Sequence, residues 1–497
     1  MESVGYLFLI EKYQLNVLRP LVCSYLTDSS TKTEKSERGC KEVFYPKWRH
    51  SVAENWQAHL NFAIKYEGIN LEVLKALFKR LPEAEIIEEI RSKPSGGYCH
   101  RLWFLYEFLM DTLLPISDAS LGNFVKLLDD DLQWSLSEKY SVRSKRHRVI
   151  NNLPGVKGFC PMIRQIKSVK KCSTDLLHKV NELVSSYPAD LLYRAVQYLY
   201  IKETKSSFAI ERESPDQKRT ETFVALLKDA DKDFFSKESL CGIQRRIVDK
   251  KYAQDDWRRD QVYVGETLSP TEERVHFVAV KPEDLDGVMT EFLAMSHLLD
   301  SADCDAICAA VVIGFAFVFL HPFDDGNGRT HRFLLHNVLS RKGFTPPRMV
   351  FPVSANLLKN QLAYDAMLES FSERLMPLLD YRINEIGEIN VLNDTSDFYR
   401  YIDFTPIVET FQKIVADTIE TEWRAELDYL KRYDQIRARM RNVVDMPEKK
   451  ANQFILFVQQ NGGKFPSRRR DFFMELDDET INKLENAVSL TEGENVL

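Results

Sequence analysis

Apolar residues along this chain recur mostly at three- and four-residue spacing, the period of an amphipathic helix. The segment Leu71–Leu81 shows it most clearly and is followed by Pro82, a stop signal. The same spacing predicts helices over Phe104–Leu114, Leu191–Tyr200, Val288–Leu299 and Phe411–Tyr433. Between Ala306 and Leu320 the chain is apolar on every side, with no charge in fifteen residues. That run falls short of the ~20 residues needed to cross a bilayer, so it predicts a helix buried in a protein core. Polar, basic or proline-bearing breaks fall at Ser29–Glu37, Ser92–Gly97 and Ser141–Lys157. One stretch departs from the helical pattern. Gln261–Gly265 and Arg274–Val280 alternate β-branched and aromatic residues on either side of Ser269-Pro270, which predicts a two-stranded hairpin. Such a hairpin is marginal alone and must lean on neighbouring helices. The expected fold is mainly α with one hairpin: a helical region at 1–165, a central unit at 166–385 and a helical module at 386–497.

Composition narrows the class. The 497 residues are 44% hydrophobic and 28% charged, the balance of a globular protein with a substantial core. A net charge of −7 gives no indication of a nucleic-acid partner or an acidic membrane surface. The eight cysteines are scattered and form no Cys-x-x-Cys, which favours free thiols in a reducing compartment over disulfides or zinc. The apolar patch at the start is preceded by Glu2 and followed by Glu11-Lys12, unlike a signal peptide. The expectation is a cytoplasmic protein with no membrane partner.

The chemistry is concentrated in His321-Pro-Phe-Asp-Asp-Gly-Asn-Gly-Arg-Thr-His-Arg332. The apolar helix ends at His321, which puts an imidazole where buried structure meets a loop. Gly326, Asn327 and Gly328 let the backbone approach a ligand closely and open a new helix, whose unpaired first amides form an anion site. Arg329 and Arg332 are three apart and share a face of its first turn. Asp325 places a carboxylate beside them, suited to a Mg²⁺ ion that also holds phosphates. A base, an anion cradle, two arginines and one metal carboxylate together describe phosphoryl or nucleotidyl transfer.

These residues match every fixed position of His-Pro-Phe-x-Asp-Gly-Asn-Gly-Arg-x-x-Arg, and over residues 200–380 the chain resembles the Fic family. The resemblance implies a helical core with a β-hairpin flap and transfer of AMP from ATP to a Ser, Thr or Tyr hydroxyl of a target protein. His321 would be the general base, Phe323 the buried anchor of the loop and Asp325 the Mg²⁺ ligand. Gly326, Asn327 and Gly328 would hold the α- and β-phosphates, and Arg329 and Arg332 the outer ones. Tyr364 would line the adenine pocket or serve as a core tyrosine. Val275, His276, Phe277 and Val278 would form the flap that registers a target by strand addition. Asp324 reads as a solvated or capping carboxylate, and His331 and His336 as packing residues.

Upstream, Ser207 and Glu211 resemble the family's inhibitory motif, Ser/Thr-x-x-x-Glu-Gly/Asn. On a helix they share a face, from which Glu211 would pair with Arg332 in place of the ATP γ-phosphate. Arg212 stands where the family has Gly or Asn, and a bulky residue resists the left-handed helix end. A second candidate, Glu67-Gly68, lacks the Ser/Thr and lies far upstream. Self-modification and homo-oligomers fit this reading. The alternatives are another donor nucleotide, removal of AMP, or a nucleotide-sensing binding module. For the last, Asp445–Asn461 predicts a helix, and Arg468–Arg470 ahead of another suggests a helical or winged-helix unit.

Overall fold

The computed structural model describes residues 1–37, 40–165, 167–269, 272–384 and 387–489. Its centre is the apolar run, which forms a helix over Ala306–Leu320. Asp305 caps the start by accepting from the Cys308 amide, and every residue of the helix except Ala306 and Val318 is buried. A helix apolar all round must be covered on all sides. The cover comes from the helices Pro282–Ser301, Asn327–Arg341 and Thr405–Asp417, with Gln361–Leu375 packed on the last. Gly314 permits the closest of these approaches: a Cβ there would lie 2.8 Å from Leu335 Cδ2 and 3.2 Å from His331 Nδ1 on the Asn327–Arg341 helix.

The expectation of a mainly α fold holds, but two small sheets join the helices of the N-terminal region. One has the strand order Glu2–Val4, Val22–Thr27, Cys40–Pro46, Thr33–Glu37, with a parallel central pair and antiparallel outer pairs. The other places Val149–Asn151 between Val125–Lys126 and Val142–Ser144. Three of these strands fall in segments the sequence marks as breaks, because strands this short carry too little alternation to register. This corrects the purely helical reading of residues 1–165. The region is clasped to the centre by Lys75 and Lys79, both 2.7 Å from Asp397, and by backbone bonds from Cys160 to Arg400 and from Met162 to Ile402.

The central core also runs past residue 385. Phe398, Tyr399, Phe411, Trp423 and Leu427 belong to it, and the Trp423 indole donates to the Val350 carbonyl at 3.0 Å. The helix predicted at Phe411–Tyr433 extends from Thr405 to Val443 with a π-helical turn at Thr418–Trp423. A separate small core begins in its second half, where Ile436 and Met440 pack on Phe454 and Leu484 from the helices Glu448–Gln460 and Asp478–Ser489. No strand follows Val391 among the described residues, so this module is helical and has no wing. Arg470 is spent on the carbonyls of Phe473 and Leu476, and Arg469 lies over Phe457. Among the described residues no helix is long and apolar enough to cross a membrane.

If the core ends near Leu427, Trp423→Ala should cost about 3–5 kcal/mol of unfolding free energy in a denaturant melt. A loss below about 1 kcal/mol would place Trp423 outside the cooperative unit.

Candidate active site

His321 ends the apolar helix in a left-handed conformation, φ 51° and ψ 59°. Its Nδ1 lies 3.2 Å from the Val318 carbonyl. A carbonyl only accepts, so Nδ1 carries the proton and Nε2 keeps its lone pair. Burial lowers the imidazole's pKa to about 4; the Val318 carbonyl opposes the shift and the Arg258 charge adds to it. The ring is therefore neutral at pH 7.

The loop after it is built around two side chains. Phe323 is fully buried against Trp257 and Phe317. The Asn327 amide closes on Phe323, donating to its carbonyl at 2.7 Å and accepting from its N–H at 3.0 Å. The Asn327 side chain is thus committed to loop closure. Gly326 stands in the left-handed region at φ 91°, and from it the Asn327–Arg341 helix starts without a side-chain cap. Asp324 accepts from the Gln254 side-chain amide and donates its N–H to the Gln254 side-chain oxygen, so it ties the loop to Gln254 and caps no helix.

Arg329 and Arg332 are each 1% exposed. Arg332 donates to the Ser207 hydroxyl at 3.0 Å, the Ser207 carbonyl at 2.7 Å and Glu211 Oε1 at 2.8 Å. Arg329 divides its fork between Asp325 Oδ1 at 2.8 Å and Glu213 Oε2 at 3.0 Å. Arg329 Nε and Arg332 Nη1 are buried and make no hydrogen bond to a described residue. Burial works to raise the pKa of Glu211, but Arg332, with Arg329 and His321 assisting, holds it below the usual carboxylate value. The carboxylate also overlies the helix start, where a Cβ on Gly328 would collide with Glu211 Oε1.

Ser207 and Glu211 close the helix Ala189–Ile210. Arg212 adopts the left-handed conformation after all, at φ 57°. Its N–H reaches the Ala209 carbonyl at 2.9 Å and the Glu213 N–H reaches that of Phe208 at 3.0 Å, a Schellman closure made without glycine. That turn swings Glu213 back onto Arg329, and Arg219 holds it there at 2.9 Å. Glu67 is far from these groups: it is buried in the N-terminal core, where it accepts from the Tyr6 amide at 3.0 Å.

The Fic/DOC family model matches residues 234–339. The chain carries a Fic domain. It is 32% identical over 116 residues to the protein adenylyltransferase Fic of Culex quinquefasciatus, which is 23% of this chain and 21% of that protein. With the protein of the same name from Nematostella vectensis it shares 31% over 111 residues, 22% and 24% of the two chains. The matched part spans about a fifth of the length of these relatives. Among solved structures, a Fic family protein from Desulfovibrio desulfuricans aligns over 55% of this chain and 79% of its own at 18% identity and a TM-score of 0.36. Fic-1 from C. elegans aligns over 75% and 91% at 17% identity and 0.34.

The family match encloses the hairpin and the Fic motif and leaves Ser207, Glu211 and Glu213 outside it. The hairpin pairs Tyr263–Ser269 with Glu272–Val278, and a register shift at Val264/Gly265 leaves His276 as the extra residue of a bulge. His276 is exposed and Val275 half-buried. Phe277 and Val278 point into the core, with Phe277 against Phe319, Phe371 and Tyr399. They anchor the hairpin. Tyr364 is likewise buried, with its ring parallel to that of His331 and its hydroxyl beside Arg332. His336 is held by Glu203 at 2.7 Å.

The sequence reading missed Arg258, Glu213 and Arg219. Glu213 lies beyond a left-handed turn, where helical spacing no longer predicts direction, and Arg258 sits outside any periodic pattern.

A left-handed non-glycine residue costs about 1–2 kcal/mol, part of which glycine returns as unfolded-state entropy. The Arg212 side chain is exposed, so Arg212→Gly should raise the unfolding free energy by about 0.5–1 kcal/mol in a urea melt. A loss of stability would show that the arginine makes contacts worth more than its strain.

Proposed function

We propose that this chain is a protein adenylyltransferase held in check by its own upstream helix. The observation that carries the reading is a neutral His321, with Nε2 free, at the edge of an anion cradle made by the helix start at Gly326–Gly328, Arg329 and Arg332. In the proposed step a target hydroxyl oxygen attacks the α-phosphorus of ATP. The new P–O ester bond forms as the bond to the β-phosphate oxygen breaks, pyrophosphate leaves, and His321 Nε2 takes the hydroxyl proton. The buried donors of the two arginines meet negative charge on the phosphates without reorganising. The adenylyltransferase names of the relatives agree with this donor and with a protein acceptor.

Asp325 is the residue that would hold Mg²⁺. Both of its hydrogen bonds, from Gly326 and Arg329, fall on Oδ1. Among the described residues no cluster of three or more metal-ligating side chains occurs. That donor set suits an ion that takes most of its oxygens from phosphates and water, and whose role is to neutralise phosphate charge.

Restraint has two parts in this reading. Glu211 fills the cradle above Gly328 and neutralises Arg332, while Glu213 neutralises Arg329. Glu211→Gly should therefore gain the mass of AMP on incubation with ATP and Mg²⁺, read by intact mass spectrometry, faster than the unaltered protein does. Adding Glu213→Gln should raise the rate again. His321→Ala should lower it by ~10²–10⁴-fold. Tight ATP binding with no added mass in any of these proteins would sink the proposal, and a different added mass in a donor panel would reassign the nucleotide.

A base with a pKa near 4 is already unprotonated at neutral pH. Removing Glu211, whose charge raises that pKa, moves it further down. The labelling rate of Glu211→Gly should stay level as pH falls through about 6.5, the ordinary histidine value. It should drop only toward about 4. A half-maximal rate near 6.5 would mean that the imidazole is solvated in the working enzyme.

A further inference from the structure

Arg258 is 3% exposed and forms no salt bridge among the described residues. Burial lowers its pKa to about 10, which leaves it charged at neutral pH. The charges of Asp324 and Asp260 act on it from beyond salt-bridge distance, and a buried cation with no carboxylate in direct contact is costly unless its donors are well matched to acceptors. Here they are matched to carbonyls. Nε donates to the His321 carbonyl at 2.8 Å, Nη1 to that of Asp260 at 2.6 Å and Nη2 to that of Val280. The Arg258 N–H donates to the Pro322 carbonyl at 2.9 Å.

The position of those carbonyls gives the arrangement its meaning. Asp260 precedes the first strand of the hairpin, which starts at Tyr263, and Val280 follows the second, which ends at Val278. One planar guanidinium thus joins both feet of the hairpin to the first residue of the Fic motif. His321 needs such a hold: it is a left-handed non-glycine residue ahead of a proline, a conformation that persists only where its surroundings over-determine it. Neither Gly326–Gly328 nor Arg329 and Arg332 bond to Arg258, so the link runs to the acceptor side of the site and not to the nucleotide side.

We propose that Arg258 is a positioning residue that fixes the flap in register with His321, so that a segment added to the flap presents its hydroxyl to Nε2. This rests on the adenylyltransferase reading for its catalytic consequence, though not for its structural one. Lysine keeps the charge but cannot reproduce a planar fork that reaches three carbonyls.

The test uses the full chain with Glu211→Gly and self-labelling from ATP as the acceptor reaction. Adding Arg258→Lys should cut the labelling rate about 10- to 100-fold, the scale of a misplaced reacting group. ATP affinity by calorimetry should stay within about threefold, under half a decade. Amide exchange should quicken in Val262–Val280 and not in Ala306–Leu320. Arg259→Lys, at the exposed neighbour, should change none of these. Arg258→Gln, smaller and uncharged, gives the same readouts if the lysine variant fails to fold. Unchanged labelling and exchange would overturn the proposal, and so would a fall in ATP affinity that matches the fall in rate. If the Glu211→Gly parent takes no label, the adenylyltransferase reading fails, and the exchange comparison still decides whether Arg258 holds the flap to His321.

Discussion

An uncharged helix of fifteen residues has no face to turn toward water, and this constraint organises the centre of the molecule. Ala306–Leu320 must be enclosed, and enclosing it fixes where its last turn emerges. His321 stands at that point, so its place is set by the burial of everything before it. The close approach at Gly314 then ties the next helix to the first. As a result the base and the two arginines sit on elements with little freedom to move apart. Preorganisation of this kind is what a charge-stabilising site needs.

The same packing creates a problem of charge. Arg329 and Arg332 lie almost wholly out of water, and a buried cation demands anions. The chain supplies three carboxylates, Glu211, Glu213 and Asp325. Two of them come from one short segment that ends the Ala189–Ile210 helix. A site that binds an anionic ligand must leave its cations available, whereas stability favours neutralising them. Carboxylates carried on a separate helix end meet both demands, since they satisfy the arginines until an anion with more charge and more oxygens competes. On the proposed reading, restraint is then a consequence of what the buried arginines require.

Much of this was legible in the residues. The apolar run gave its helix to the residue, because fifteen uncharged positions bounded by Asp305 and His321 leave little latitude. The Ser207–Glu211 spacing gave the Arg332 contact, because both groups lie on one helix and helical geometry is periodic. Where the chain leaves periodic structure, the reading failed. Four of the seven strands in the N-terminal sheets have only two or three residues, too few for alternation to register. Glu213 reaches Arg329 only by way of a left-handed turn. Asn327 reads as a phosphate ligand because it stands between two glycines, and the hold of its side-chain amide on Phe323 shows only in the structure. The boundary at 385 followed a turn signal, while the core continues to Leu427 because burial depends on contacts distant in sequence.

Arg212 sharpens the point about restraint. Glycine or asparagine at this position would make the left-handed turn with little strain, and the arginine makes the same turn at φ 57° with both Schellman bonds intact. Among the described residues the exposed arginine side chain makes no hydrogen bond or ion pair to offset that strain, so what the turn delivers must offset it. What it delivers is Glu213, held by Arg219 against a second buried arginine. The energy of that ion pair is therefore coupled to the strain one residue away: loosening Glu213 removes the reason for the turn, and relaxing the turn gives up the contact between Glu213 and Arg329.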